Sequence, residues 1–150
     1  MRAFRVGDAD GRYPIYSGQG SARSKGRWHK RGQEVIYSSR YYSTALLESL
    51  ARWNLGLPLR QHYIEINIPS GISYETVTAH SFPKWVDDER ASAFGAKWHQ
   101  EKRSLILIVP SYVARIDENV VINCSHPDFP KLQAGLEYPV FWDERLFSNS

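Results

Sequence analysis

Polar and apolar residues alternate most cleanly over HYIEINIP, residues 62–69, with Ile64, Ile66 and Ile68 on one side and Tyr63, Glu65 and Asn67 on the other. A period of two marks a strand with one buried face. LILIVP (Leu105–Pro110) is short and apolar throughout, which predicts a central strand buried on both faces. Further strands are predicted at AFRV (Ala3–Val6), EVIYSS (Glu34–Ser39) and NVVIN (Asn119–Asn123), and VFWDERLF (Val140–Phe147) reads as a closing strand or edge segment. The period changes in STALLESLARWN (Ser43–Asn54), where Leu46, Leu50 and Trp53 fall at i, i+4 and i+7 on one helical face. Ser43 or Thr44 is expected to cap this helix, and Gly56 with Pro58 to end it. Glu48 lies about 200° round from Leu46 and so points away from the leucine stripe. Pro83–Arg103, with Trp85, Phe94 and Trp98, predicts one or two short helices around Gly95. Gly7–Ser24 reads as loop and HPDFPKL as turn. Strands with few helices, in irregular order, predict an α+β fold of small mixed sheets with short helices. A chain of 150 residues fits one domain.

Charge is placed unevenly. Residues 1–60 carry eleven Lys/Arg against four Asp/Glu, and residues 61–150 carry eight against twelve. That asymmetry points to an anionic ligand near the N-terminal half. The single cysteine, Cys124, excludes a disulfide within the chain and fits a reducing compartment. MRAFRVGDADGRYP lacks the apolar core of a signal peptide, and no run nears the roughly 20 apolar residues that cross a bilayer. The expectation is a soluble, cytoplasmic protein with no membrane partner.

Common motifs fail. GQGSAR (Gly18–Arg23) lacks the third glycine of a dinucleotide fingerprint and has no strand directly before it. The five histidines show no metal-ligand spacing. Ser111 stands in VPSYV, outside a nucleophile elbow, and nothing supports a Ser111–His126–Asp128 triad beyond spacing.

The stretch that stands out is GSARSKGRWHKRGQEVIYSS, with five Lys/Arg between Arg23 and Arg31. A nucleic-acid surface, a solvated face and a pocket for a phosphorylated small molecule are all open to such a cluster. The residue types in and just after the cluster favour the pocket. Arginine forks suit a pyrophosphate, a tyrosine ring suits a flat base or nicotinamide, and a lone carboxylate suits positive charge developing on a sugar. Arg27, Tyr37 and Glu48 supply all three within 22 residues.

The run G-x-G-x-x-x-x-x-G-R-W (Gly18–Trp28), then G-x-x-V-I-Y-S-S (Gly32–Ser39), A-L-L-E (Ala45–Glu48), V-P-S (Val109–Ser111), E-N-V-V-I-N-x-x-H-P-D-F (Glu118–Phe129) and F-W-D-E-R-L-F (Phe141–Phe147) resembles the RES domain family over nearly the whole chain. Arg27, Glu48 and Ser111 match the Arg, Glu and Ser that give the family its name. The resemblance implies a fold similar to ADP-ribosyltransferase toxins. It also implies a toxin that degrades NAD+ by cleaving its nicotinamide–ribose bond, with water or phosphate as acceptor. NAD+ enters as substrate, and no cofactor or metal is implied. An Xre-family helix-turn-helix antitoxin covering the site is the implied partner, with a homodimer plausible by resemblance alone. Arg27 would hold a phosphate with help from Arg5, Tyr37 would pack on nicotinamide, Glu48 would act at the ribose, and Ser111 would position Glu48 or the nicotinamide amide. Transfer of ADP-ribose to a protein is the alternative, and nucleic-acid binding without catalysis a weaker one. His29 stands where many members carry Asn and is expected at the pocket rim; Cys124 stands where many carry Pro and is expected to alter a turn. Trp28 is expected to pack rather than bind ligand.

Overall fold

The computed structural model describes residues 1–53 and 58–147. Its strands are β1 (Arg2–Asp8), β2 (Val35–Ser39), β3 (Gln61–Asn67), β4 (Tyr74–Thr76), β5 (Ile106–Pro110), β6 (Glu118–Asn123), β7 (Gln133–Ala134) and β8 (Tyr138–Pro139). Two helices accompany them, α1 (Tyr42–Arg52) and α2 (Asp88–Glu101). The α+β class is as expected, but the strands form a single sheet, ordered β4-β5-β6-β2-β1-β3-β7, with β8 also paired to β3. The sheet is mixed: β4 runs parallel to β5, and the other pairs are antiparallel.

Alternation along the strands feeds two apolar clusters. Ile36, Ile106, Ile108, Val120 and Ile122 join Ile64, Ile66 and Ile68 in one. Val35, Leu107, Val109 and Val121 join Trp28, Trp85 and Trp98 in the other. Neighbouring residues of β5 thus enter different clusters, and the whole strand is buried, as its continuous apolar run requires. Trp28 is buried within the second cluster, a packing residue.

The helices expected over Pro83–Arg103 form, while two local expectations change. Pro83–Arg103 forms a short 3₁₀ turn, Pro83–Val86, and then one uninterrupted helix through Gly95. Asp87 caps that helix by accepting from the amides of Glu89 and Arg90. Gly95 does not break it; a β-carbon there would stand 1.8 Å from the Trp28 carbonyl oxygen, so the glycine admits close approach of the loop. The C-terminal segment is no strand over residues 140–147. Regular pairing stops at Pro139, and an Asp143-capped 3₁₀ turn, Glu144–Leu146, follows.

Helix α1 departs furthest from its pattern. It is flanked by Tyr41 without a side-chain cap, while the Thr44 hydroxyl donates to Asp117 at 2.9 Å instead. Its buried residues are Thr44, Ala45 and Ser49. Leu46 and Leu50 are half-buried and Leu47 is exposed, so the apolar stripe is not the core face. Helix α1 ends at Arg52, and Asn54 and Gly56, expected at its end, lie outside the described residues. No helix among the described residues is long and apolar enough to cross a membrane.

Candidate active site

The sheet has a weak seam between β1 and β2. β1 pairs with β3 at seven positions but with β2 only where Phe4 faces Ser39. Over this seam, under α1, lies a cleft of about 260 Å³ lined by Arg5, Arg27, Tyr37 and Glu48, together with Arg52 and Asn119. Four of the five side chains singled out in the sequence therefore share one cleft. The fifth, Ser111, is fully buried beside it at the end of β5 and donates its hydroxyl hydrogen to Glu48 Oε1 at 2.9 Å. The Ser111 oxygen also accepts the Ala114 amide at 3.0 Å, which fixes the direction of its O–H. His126 Nδ1 accepts from the Asp128 amide instead, so no Ser–His–Asp relay forms.

Arg5 reaches across the seam. Its Nε donates to the Ile15 carbonyl at 2.8 Å and Nη1 to the Tyr37 carbonyl at 2.7 Å. Burial, and then the neighbouring Arg52 charge, draw its guanidinium pKa down to about 10, so it stays charged at neutral pH. Arg27 is held from several sides: Asp88 at 3.0 Å, the Trp85 carbonyl at 3.3 Å, and the Tyr112 ring with its centroid 4.2 Å from the guanidinium carbon. A cation anchored this way is a fixed charge on the cleft wall.

Tyr37 lines the cleft, and its hydroxyl is engaged by the loop. The hydroxyl oxygen accepts the Trp28 amide at 3.0 Å, and the O–H donates to His29 Nδ1 at 2.6 Å. His29 Nε2 lies 2.7 and 2.8 Å from the carbonyls of Ser21 and Ser24, which only accept, so the proton sits on Nε2. Burial pushes the Tyr37 phenol well above its ordinary range, which keeps it a neutral donor. His29 is thus buried behind Tyr37 and does not form the pocket rim. Gly26 allows this packing: a β-carbon there would stand 2.4 Å from His29 Cε1 and 2.8 Å from the Tyr37 hydroxyl.

Cys124 follows β6, its amide donating to the Glu34 carbonyl at 3.1 Å; burial pushes its thiol up to about 12, so the reactive thiolate is suppressed. Sequence reasoning missed Arg52 and the buried role of His29. Arg52 stands four residues after Glu48, one turn along the same helix face, and that spacing was the available signal. The bonding of His29 runs to loop carbonyls, which leave no trace in residue identity.

Fold and cleft together define an α+β domain that sets one carboxylate among arginines and a tyrosine ring. The family model for the RES domain matches residues 2–143. The chain belongs to the RES domain family. It is 32% identical over 141 residues to the Prs ADP-ribosylating toxin of Sphingobium sp. (strain YBL2), covering 89% of this chain and 88% of that protein. It is 28% identical over 139 residues to a Toxin Res of Pseudomonas putida, covering 90% and 94%. A chain in the crystal structure of the M. tuberculosis MbcT–MbcA toxin–antitoxin complex shares the fold, with a TM-score of 0.71 at 16% identity over 98% of this chain and 86% of that one.

Proposed function

We propose that this chain is a toxin that cleaves the nicotinamide–ribose bond of NAD+. One observation carries the reading: Arg5, Arg27, Tyr37 and Glu48 line a single cleft, and Ser111 holds Glu48 from beneath. Membership of the RES domain family and relatives named as toxins support it. Nicotinamide in NAD+ is already a cationic leaving group. As the bond breaks, its electron pair goes to the pyridine nitrogen, and positive charge develops at the ribose anomeric carbon. The Glu48 carboxylate offsets that charge or bonds a ribose hydroxyl. Tyr37 packs on the nicotinamide ring, and Arg27 and Arg5 hold phosphate oxygens. Water or phosphate then closes the anomeric carbon. Removing one such preorganised group costs on the order of 3–4 kcal/mol in the barrier.

A second reading has its own support. A relative with 32% identity is named for ADP-ribosylation, so a protein side chain is the other acceptor class. The partner proposed is an Xre-family antitoxin that covers the cleft, a reading supported by the presence of the matched solved chain in a toxin–antitoxin complex.

The test is release of free nicotinamide from NAD+ by the purified protein, with and without phosphate, against Glu48→Gln. Release that requires Glu48 supports cleavage, and its phosphate dependence identifies the acceptor. Labelled NAD+ in cell extract gives protein-bound label under the second reading. No release and no bound label overturn both.

A further inference from the structure

The cleft under α1 continues past Glu48. A second cleft of about 220 Å³ is lined by Ser49, Trp53 and Gln61 and shares Arg5, Val6 and Arg52 with the first. The two arginines therefore stand where the clefts join. Like charges brought together in a fold cost free energy unless something answers them. Among the described residues, no carboxylate lies within ion-pairing distance of either guanidinium. Asp8 lines the second cleft, yet its Oδ1 accepts the Asp10 amide at 3.0 Å. Two of the five N–H donors of Arg5 go to the carbonyls of Ile15 and Tyr37, which leaves three.

Spacing gives the ligand its orientation. Ala45, Glu48, Ser49 and Arg52 fall at i, i+3, i+4 and i+7, one face of α1, and all four line the clefts. Glu48 and Arg52 are one turn apart, ~6 Å along the axis, comparable to the reach from a sugar's anomeric carbon to its 5′ phosphate. Arg27 lies on another wall of the first cleft, engaged by Asp88 and Tyr112.

We propose that Arg5 and Arg52 form a subsite for the diphosphate of a nucleoside diphosphate group, whose nucleoside runs into the second cleft beside Trp53 and Gln61. This rests on the NAD+ reading and deepens it: the bond to be broken sits at Glu48, the diphosphate one helical turn on, and the adenosine beyond. Guanidinium forks give paired charge-assisted bonds to phosphate oxygens. The Asp8 carboxylate suits the vicinal hydroxyls of the distal ribose. Arg52 is thereby a substrate-binding residue that acts on affinity and not on bond cleavage.

The test is calorimetric titration of ADP, inorganic pyrophosphate and adenosine into the wild-type protein, Arg52→Ala and Arg52→Lys, with thermal melting as the folding control. Arg52 is exposed, so its variants are expected to melt with the wild type. ADP affinity should fall at least tenfold in Arg52→Ala and partly recover in Arg52→Lys, while adenosine binding stays unchanged. Equal ADP affinity in wild type and Arg52→Ala, or no ADP binding at all, overturns the subsite. Pyrophosphate binding as tightly as ADP removes the nucleoside from the second cleft and overturns that half. The Glu48→Gln protein should still bind ADP. Arg52-dependent ADP binding without nicotinamide release from NAD+ would leave the subsite standing and the cleavage reading refuted.

Discussion

The two walls of the cleft solve opposite problems. The loop from Gly26 to Lys30 lies in the most basic stretch of the chain, yet it sends Trp28 and His29 into the interior and ties the Tyr37 hydroxyl through the Trp28 amide and the His29 ring. Helix α1 carries the leucines, yet it turns Ala45, Glu48, Ser49 and Arg52 toward the clefts and leaves Leu47 41% exposed. On the loop side, the site is part of the core. On the helix side, the site has displaced the core, and the apolar residues have given up the inner face to polar ones. Polar side chains near the sheet are sustained only where partners meet them, as Ser111 does Glu48 and Gln61 does Ser49 at 2.7 Å.

This contrast can be broken at graded cost. Glu48→Gln on the helix wall should reduce NAD+ turnover by about 10²–10³-fold while urea unfolding shifts by less than ~1 kcal/mol, because the amide can still accept from Ser111. Gly95→Ala sets a methyl against the Trp28 carbonyl behind the loop wall and should cost ~3 kcal/mol or more of stability, visible as a Tm lowered by roughly 6–12 °C for a chain of this size. Tyr37→Phe keeps the ring in the cleft but orphans the Trp28 amide and His29 Nδ1. It should destabilise by ~1–3 kcal/mol and retain most turnover at a temperature where the variant is folded, the reverse of Glu48→Gln. Leu47→Lys, on the outer face of the helix, should change stability by no more than ~0.5 kcal/mol in the same urea titration. A large loss there would show that the outer leucines belong to the core after all.

The legible parts of the sequence were those where period and burial agree. Ile64, Ile66 and Ile68 alternate because one side of β3 meets the core, and Leu105–Pro110 is apolar because neither side of β5 meets water. Arg27, Tyr37 and Glu48 could be brought together from the chemistry of their residue types, and the structure sets them round one cleft. What periodicity does not reveal is the inner face of α1, where Ala45, Glu48, Ser49 and Arg52 line the clefts and the leucine stripe does not. Gly95 was misjudged because glycine signals both a break and a close approach, and only the position of Trp28 decides between them. His29 was misplaced because its partners, the Ser21 and Ser24 carbonyls, are backbone atoms of a loop. The C-terminal segment has a strand-like composition but finds little beyond the bond from the Val140 amide to the Gln61 carbonyl to continue the ladder.

The way the loop wall is tied to the interior also governs how the chain can be disarmed. Changes at Gly26, Trp28 or Tyr37 strike shared supports of fold and cleft, so silencing there tends to yield protein that is degraded along with its activity. Glu48 stands apart, because among the described residues its carboxylate is tied only to the hydroxyl of Ser111. On the proposed reading, a single exchange at that carboxylate should leave an inert chain with an intact surface, able to occupy whatever binds the active form, and so to act as a decoy for it.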